Sequence, residues 1–274
     1  MSMTSDGKAL PNKFVCSICG VCVAKGDNLQ KTEDDVHIFS RLHGSIDADQ
    51  GSKTVSCPCC DLALGSRGNN VFLLRKDRVV RGPERLEILV CSLKEKEITD
   101  VAPVLQEAFP QSNVISRVLQ KAELRGFELK SARVPDFVVV VHKNEGRALL
   151  TDRNGFYHDV LGSAWQQTQG NVLVVLTRTE TRGGAAELFD AQLLQSLSNQ
   201  GDQPTIGTLS ACGRVLTWEN SPSRPQIQQL QRLSEKAYFR EASSVVQGLP
   251  ASWTKPLPKS SAASNSNFFG CNLL

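Results

Sequence analysis

A small all-β module followed by a three-layer α/β domain with a mainly parallel sheet is the architecture to expect from this chain. Three observations lead there. Two Cys-x2-Cys pairs, Cys16/Cys19 and Cys57/Cys60, lie among short apolar runs broken by turn residues in the first quarter. After Gly82-Pro83 the rhythm changes to uninterrupted apolar runs of strand length alternating with helical spacing. From Leu249 onward the composition becomes that of a linker, with prolines at 250, 256 and 258 and then Ser260-Ser-Ala-Ala-Ser-Asn-Ser-Asn. The expected division is a disordered start at 1–11, a zinc-binding β domain at 12–81, an α/β domain at 84–248 and a flexible tail at 249–274.

In the first module, Lys13-Phe-Val precedes the first cysteine pair, Thr54-Val-Ser precedes the second, and Val71-Phe-Leu-Leu follows it. Each reads as a short strand. The stretch from Gly26 to Gly51 carries Asp27, Glu33, Asp34, Asp35, Asp47 and Asp49 and reads as a long exposed insertion. So few apolar residues make a weak core, and a metal crosslink would compensate, since metal affinity in a small module is folding free energy.

In the second domain, Leu86 to Leu93 reads as a buried strand, and Ile98, Val101, Ala102, Leu105 and Phe109 repeat at helical spacing. Val114 to Leu124 repeats that spacing and is expected to be a helix, whereas Phe127 to Val134 alternates like a strand. Phe137 to Val141 and Asn171 to Leu176 are interior strands, apolar on both faces. Ala185 to Leu197 is expected as a helix, Ile206 to Leu209 and Arg214 to Trp218 as short strands, and Pro225 to Val246 as a long last helix. Strands alternating with helices imply a parallel sheet covered on both sides.

Zn²⁺ takes four thiolate or imidazole ligands in a tetrahedron, and a two-residue spacer lets both sulfurs of a pair reach one ion. Cys16, Cys19, Cys57 and Cys60 are therefore the expected ligands of a structural zinc. Cys22, Cys59, His37 and His43 are competing donors. Four cysteine ligands leave no open position for catalysis. The residues Phe14-Val-Cys16-Ser-Ile-Cys19, Gly26-Asp27-Asn-Leu29, Val55-Ser-Cys57-Pro-Cys-Cys60 and Leu64-Gly65 resemble the β-tent zinc domains of the Yippee and kinetochore Mis families. The resemblance covers about residues 12–80. It implies a fold and a metal held by Cys16, Cys19, Cys57 and Cys60, and does not reach the rest of the chain.

The chain closes on Cys271-Asn-Leu-Leu274, which fits the C-a-a-X prenylation pattern, with a terminal Leu that favours geranylgeranyl. One prenyl chain anchors only reversibly without a second signal, and only Lys255 and Lys259 lie near. With no signal-peptide pattern in the first thirty or so residues, the expected place is the reducing cytosol, partly at the cytoplasmic face of a membrane, or the nucleus. Nine cysteines in that setting point to metal ligands and free thiols rather than disulfides.

No phosphate loop, dinucleotide fingerprint or nucleophile elbow is present in the sequence. The candidates for chemistry at strand ends are Cys91 and His142, with Ser92, Lys94, Lys143, Thr177 and Arg178 beside them. The order Asp136-Phe-Val-Val-Val-Val-His142, Thr151-Asp152-Arg-Asn-Gly155 and Asn171-Val-Leu-Val-Val-Leu-Thr177 resembles the core of caspase-type folds. Thr177 or Arg178 stands where that resemblance places a nucleophilic cysteine, so it implies an inactive scaffold. A net charge of +3, with Arg75, Lys76, Arg78 and Arg81 not interleaved with aromatics, gives no reason to expect nucleic acid. The function expected is that of a non-catalytic adaptor for a protein partner. The alternatives are an enzyme acting at the strand ends and a lipid-free nuclear adaptor of chromatin or the ubiquitin pathway.

Overall fold

The computed structural model describes residues 12–18, 22–43, 46, 53–58, 60–82, 85–110, 112–129, 134–145, 150–152, 155–179, 188–200, 203–239 and 247–254. An all-β region with antiparallel sheets comes first, then a region built on a five-stranded parallel sheet with helices.

In the first region, β1 (Lys13–Cys16) lies between β2 (Cys22–Lys25) and β8 (Val79–Arg81) in a three-stranded sheet. β3 (Leu29–Thr32), β4 (Val36–Phe39), β7 (Phe72–Arg75), β6 (Ala63–Arg67) and β5 (Thr54–Ser56) form a second sheet in that spatial order. The stretch from Gly26 to Gly51 is thus no plain insertion: its first half supplies two of these strands. Asp27, Glu33, Asp34 and Asp35 are exposed, and Asp47 and Asp49 lie outside the described residues, while Phe39 and Leu42 enter the core with Phe14, Val23, Leu64, Leu74 and Val79. Gly65 is required where β6 meets β7, because a Cβ there would stand 2.0 Å from the Leu73 carbonyl oxygen.

The second region pairs β9 (Leu86–Ser92), β10 (Ser112–Val118), β11 (Phe137–Lys143), β12 (Val172–Thr177) and β13 (Val215–Trp218), all parallel, in the order β10-β9-β11-β12-β13. Successive strand residues face opposite ways, and the two faces of the sheet enter separate cores. Val138, Val140, Val172, Val174 and Leu176 pack with α2 (His158–Gln167), α3 (Ala191–Gln200) and α4 (Pro204–Ala211). Phe137, Val139, Val141, Leu173 and Val175 pack with α1 (Glu95–Ala108) and α5 (Arg224–Tyr238). Burial of Phe137 to Val141, at 0–1 % exposure, contributes about 1.5–3 kcal/mol per side chain.

Several elements differ from the sequence expectation. Val114 to Leu124 is not a helix; Ser112–Val118 is the edge strand β10, and only a single 3-10 turn, Lys121–Glu123, follows. Val114, Ile115 and Val118 are β-branched and suit a strand. On an edge open to water, apolar residues need not alternate, so their spacing mimicked a helix. Ile206 to Leu209 lies in helix α4, started by Pro204 in its first turn. Phe127 and Leu129 are buried without lying in a strand, and 130–133 lie outside the described residues. The final helix ends at Tyr238, with 240–246 outside the described residues. Helix α2 had no predicted counterpart.

The first residues of the expected tail are packed, and 255–274 lie outside the described residues. Leu249 packs against the α2-side core, and α6 (Ala251–Thr254) brings Trp253 onto α2 at 2 % exposure, its ring 5.6 Å from His158 and 6.4 Å from Trp165. Among the described residues no helix is long and apolar enough to cross a membrane.

The two regions meet at the end of α5. Lys13 Nζ donates to the Tyr238 carbonyl at 2.5 Å and lies 4.0 Å from the centre of its ring. Lys25 Nζ lies 4.1 Å from the ring centre of Phe239, and His43 stacks on the same ring at 5.6 Å. Cations beside the last carbonyls of a helix complement its dipole.

Candidate metal centre and strand-end cleft

Cys16 ends β1, and the Ser17 amide after it donates to the Arg78 carbonyl at 2.9 Å. Cys57 follows β5, and its turn is closed by Asp61 N donating to the Cys57 carbonyl at 2.9 Å and Cys57 N donating to the Leu62 carbonyl at 2.8 Å. Asp61 takes a φ of +58°, a left-handed geometry that aspartate tolerates. These turns bring three thiols together: the sulfurs of Cys16, Cys57 and Cys60 all lie within 4.8 Å of one another, and Cys16 Sγ and Cys60 Sγ are 3.7 Å apart. Cys16 and Cys57 are each 1 % exposed. Three soft, mostly buried sulfur donors at this spacing can hold a metal ion.

The fourth expected ligand, Cys19, lies outside the described residues, as do Cys59 and Cys271. The competing donors separate. Cys22 packs into the α1-side core of the parallel sheet with Leu86 and Ile88, and its thiol faces the Ala24 carbonyl at 3.7 Å. His37 lies on β4, its ring 4.9 Å from Phe14 and its Nδ1 3.1 Å from Thr32 Oγ1. Burial, then the Lys76 charge, lowers its pKa. His43 stacks on Phe239.

At the carboxyl end of the parallel sheet, Cys91 and His142 have different surroundings. Cys91 pairs in register with Val140 and is packed among Leu119, Leu124 and Phe127, and burial pushes its thiol up to about 12. His142 Nδ1 is instead 3.3 Å from Tyr157 Oη, and burial lowers the imidazole's pKa. Burial holds the Tyr157 phenol in its protonated form, and that hydroxyl also contacts Ser92 and the Val141 carbonyl. Ser92 Oγ in turn donates to the buried Glu97 carboxylate. Sequence reading missed Tyr157 and Glu97. Tyr157 precedes an unforeseen helix, and Glu97 sits in the run Lys94-Glu-Lys-Glu97, which carries the signature of a solvated surface.

Beside this network, on the α1 side, opens a cleft of about 400 Å³ whose lining includes the cations Lys94, Lys96, Lys143 and Arg178 and the acids Glu97, Asp100 and Glu219. Lys94 and Lys143 converge on one carboxylate, Glu145, which Lys94 Nζ meets at 2.5 Å. The two lysines draw that carboxyl down to about 2. No protein-family model matches the chain, and no curated protein matches it.

Proposed function

We propose that the chain is a non-catalytic interaction protein whose first region is stapled by a structural zinc ion. The observation that carries this reading is the gathering of Cys16, Cys57 and Cys60. In a regular tetrahedron with Zn–S of about 2.3 Å the sulfurs stand about 3.8 Å apart, and the Cys16–Cys60 separation is 3.7 Å. Cys19, three residues after Cys16 in the sequence, is the fourth ligand in this reading, and the likeness to Yippee and Mis zinc domains supports the same set. The burial of Cys91 and the pairing of His142 with Tyr157 support a reading without cysteine chemistry at the strand ends. Prenylation of Cys271 would bring both regions reversibly to a membrane face, where a protein partner is bound; the C-a-a-X ending supports this part.

Intact mass of the full chain from eukaryotic cells tests both parts at once. Sprayed under native conditions, it should carry one zinc ion that is lost on denaturation; a metal-free native mass overturns the staple. Cys16→Ser and Cys57→Ser should each abolish metal retention. Denatured, the wild type should show an added geranylgeranyl mass that Cys271→Ser lacks. An unmodified mass refutes lipidation and favours the lipid-free adaptor.

A further inference from the structure

We propose that the cleft at the carboxyl ends of β9, β11, β12 and β13 binds the phosphoryl group of a small phosphorylated molecule, held by Arg178 and by Lys94 and Lys143, the two lysines that Glu145 now engages.

The strand order β10-β9-β11-β12-β13 reverses direction between β9 and β11. At such a reversal the connections leave the strand ends on opposite sides and open a crevice, the place where open α/β sheets bind ligands. The three cations come from three of the strand ends: Lys94 after β9, Lys143 closing β11, Arg178 after β12. Lys94 also precedes α1, a 14-residue helix with no side-chain cap, so first-turn amides face the same side. A volume of about 400 Å³ suits a small metabolite.

The donors favour a phosphoryl group over a carboxylate. Lys94 and Lys143 already share one carboxylate, which shows that their ammonium groups can grip a single anionic centre together. Arg178 and Lys96 have no ion-pair partner among the described residues, and the Arg178 charge works against that of Lys94. Four cations, Lys94, Lys96, Lys143 and Arg178, line the cleft with three acids, Glu97, Asp100 and Glu219, and Glu97 also accepts from Ser92. Displacing Glu145 therefore leaves the cations in excess by one, and a phosphoryl group, with three oxygens to a carboxylate's two, can meet Lys94, Lys143 and Arg178 together. Glu145 is well exposed on the strand-end loop, and so can swing away at little cost.

Calorimetric titration of the full-length protein with inorganic phosphate and pyrophosphate, with succinate as the carboxylate arm, at constant ionic strength tests this. Saturable binding of a phosphate is expected, with succinate at least tenfold weaker. Glu145→Gln, an exposed change, should tighten phosphate binding about tenfold by removing the internal competitor. Lys94→Gln and Arg178→Gln should each weaken it about tenfold, with circular dichroism confirming the fold. Absence of saturable binding in both wild type and Glu145→Gln overturns the proposal. Equal affinity for succinate, or unchanged affinity in both folded cation variants, overturns it too.

Discussion

At Cys91 the surrounding apolar side chains withhold the solvent that a thiolate needs. With its pKa pushed up to about 12, the ionised fraction at neutral pH is about 10⁻⁵. Cys212, by contrast, follows α4 and is exposed. Brief alkylation of the native protein, read by peptide mapping, should therefore modify Cys212 and leave Cys91 untouched until denaturant is added. Labelling of native Cys91 contradicts its placement. His142 gives a pH prediction. Burial is the largest cause lowering its pKa from 6.5, with Lys94 acting in the same direction and Glu97 and Glu145 opposing. The unfolded chain then binds more protons than the folded one as pH falls through 6.5. Its contribution is complete above that pH and is lost as pH falls toward the depressed folded value. Urea midpoints between pH 5 and pH 7.5 should rise with pH, and His142→Gln should flatten that slope. An unchanged slope assigns the effect to other groups.

Among the elements, α6 has only four residues and gains its order from docking. Gly162, in the middle of α2, makes the room: a Cβ there would meet the Trp253 indole at 2.7 Å. Replacing a mid-helix glycine with alanine normally adds about 1 kcal/mol of stability. Here the clash expels a side chain whose loss costs about 3–5 kcal/mol by truncation. Gly162→Ala should therefore lower stability by about 2 kcal/mol and red-shift tryptophan emission. A stabilised variant with unchanged emission shows that Trp253 does not rest on Gly162. The edge strand β10 shows a different balance. Its apolar spacing suited a helix, but its β-branched residues and the backbone groups of β9 made a parallel ladder the better solution.

For the molecule as a whole, the junction at the end of α5 makes the β region that carries the cysteine cluster part of the α/β domain's stability. Lys13 is 2 % exposed and bonded to the Tyr238 carbonyl, while Cys22 sits in the other region's core. Gly82, where the chain passes between the regions, lies so close that a Cβ would meet the Lys13 and Val15 side chains at 2.8 Å. Lys13→Met removes a charged donor from a buried carbonyl and should cost about 1–3 kcal/mol. Hydrogen exchange read along α5 should show its last turn opening when the wild type is stripped with a chelator. In Lys13→Met the same turn should be open with metal still bound. Equal protection in the variant would mean that the regions are not coupled through this lysine.

Much of the outline lay in the order of residues. Three of the four cysteines that the spacing singled out, Cys16, Cys57 and Cys60, gather, with Cys19 outside the described residues; within the Cys57/Cys60 pair a two-residue turn leaves little choice of direction. The all-apolar run Phe137 to Val141 predicted a strand buried on both faces, because only an interior position covers both sides of such a run. Composition could not place Trp253, whose burial depends on a gap in a helix roughly ninety residues earlier in the chain. Nor could it pair His142 with Tyr157 rather than Cys91, or converge Lys94 and Lys143 on Glu145. Those meetings depend on strand order and register, set by long-range packing of two cores, and residues distant in the chain carry no local mark of which neighbours they will acquire.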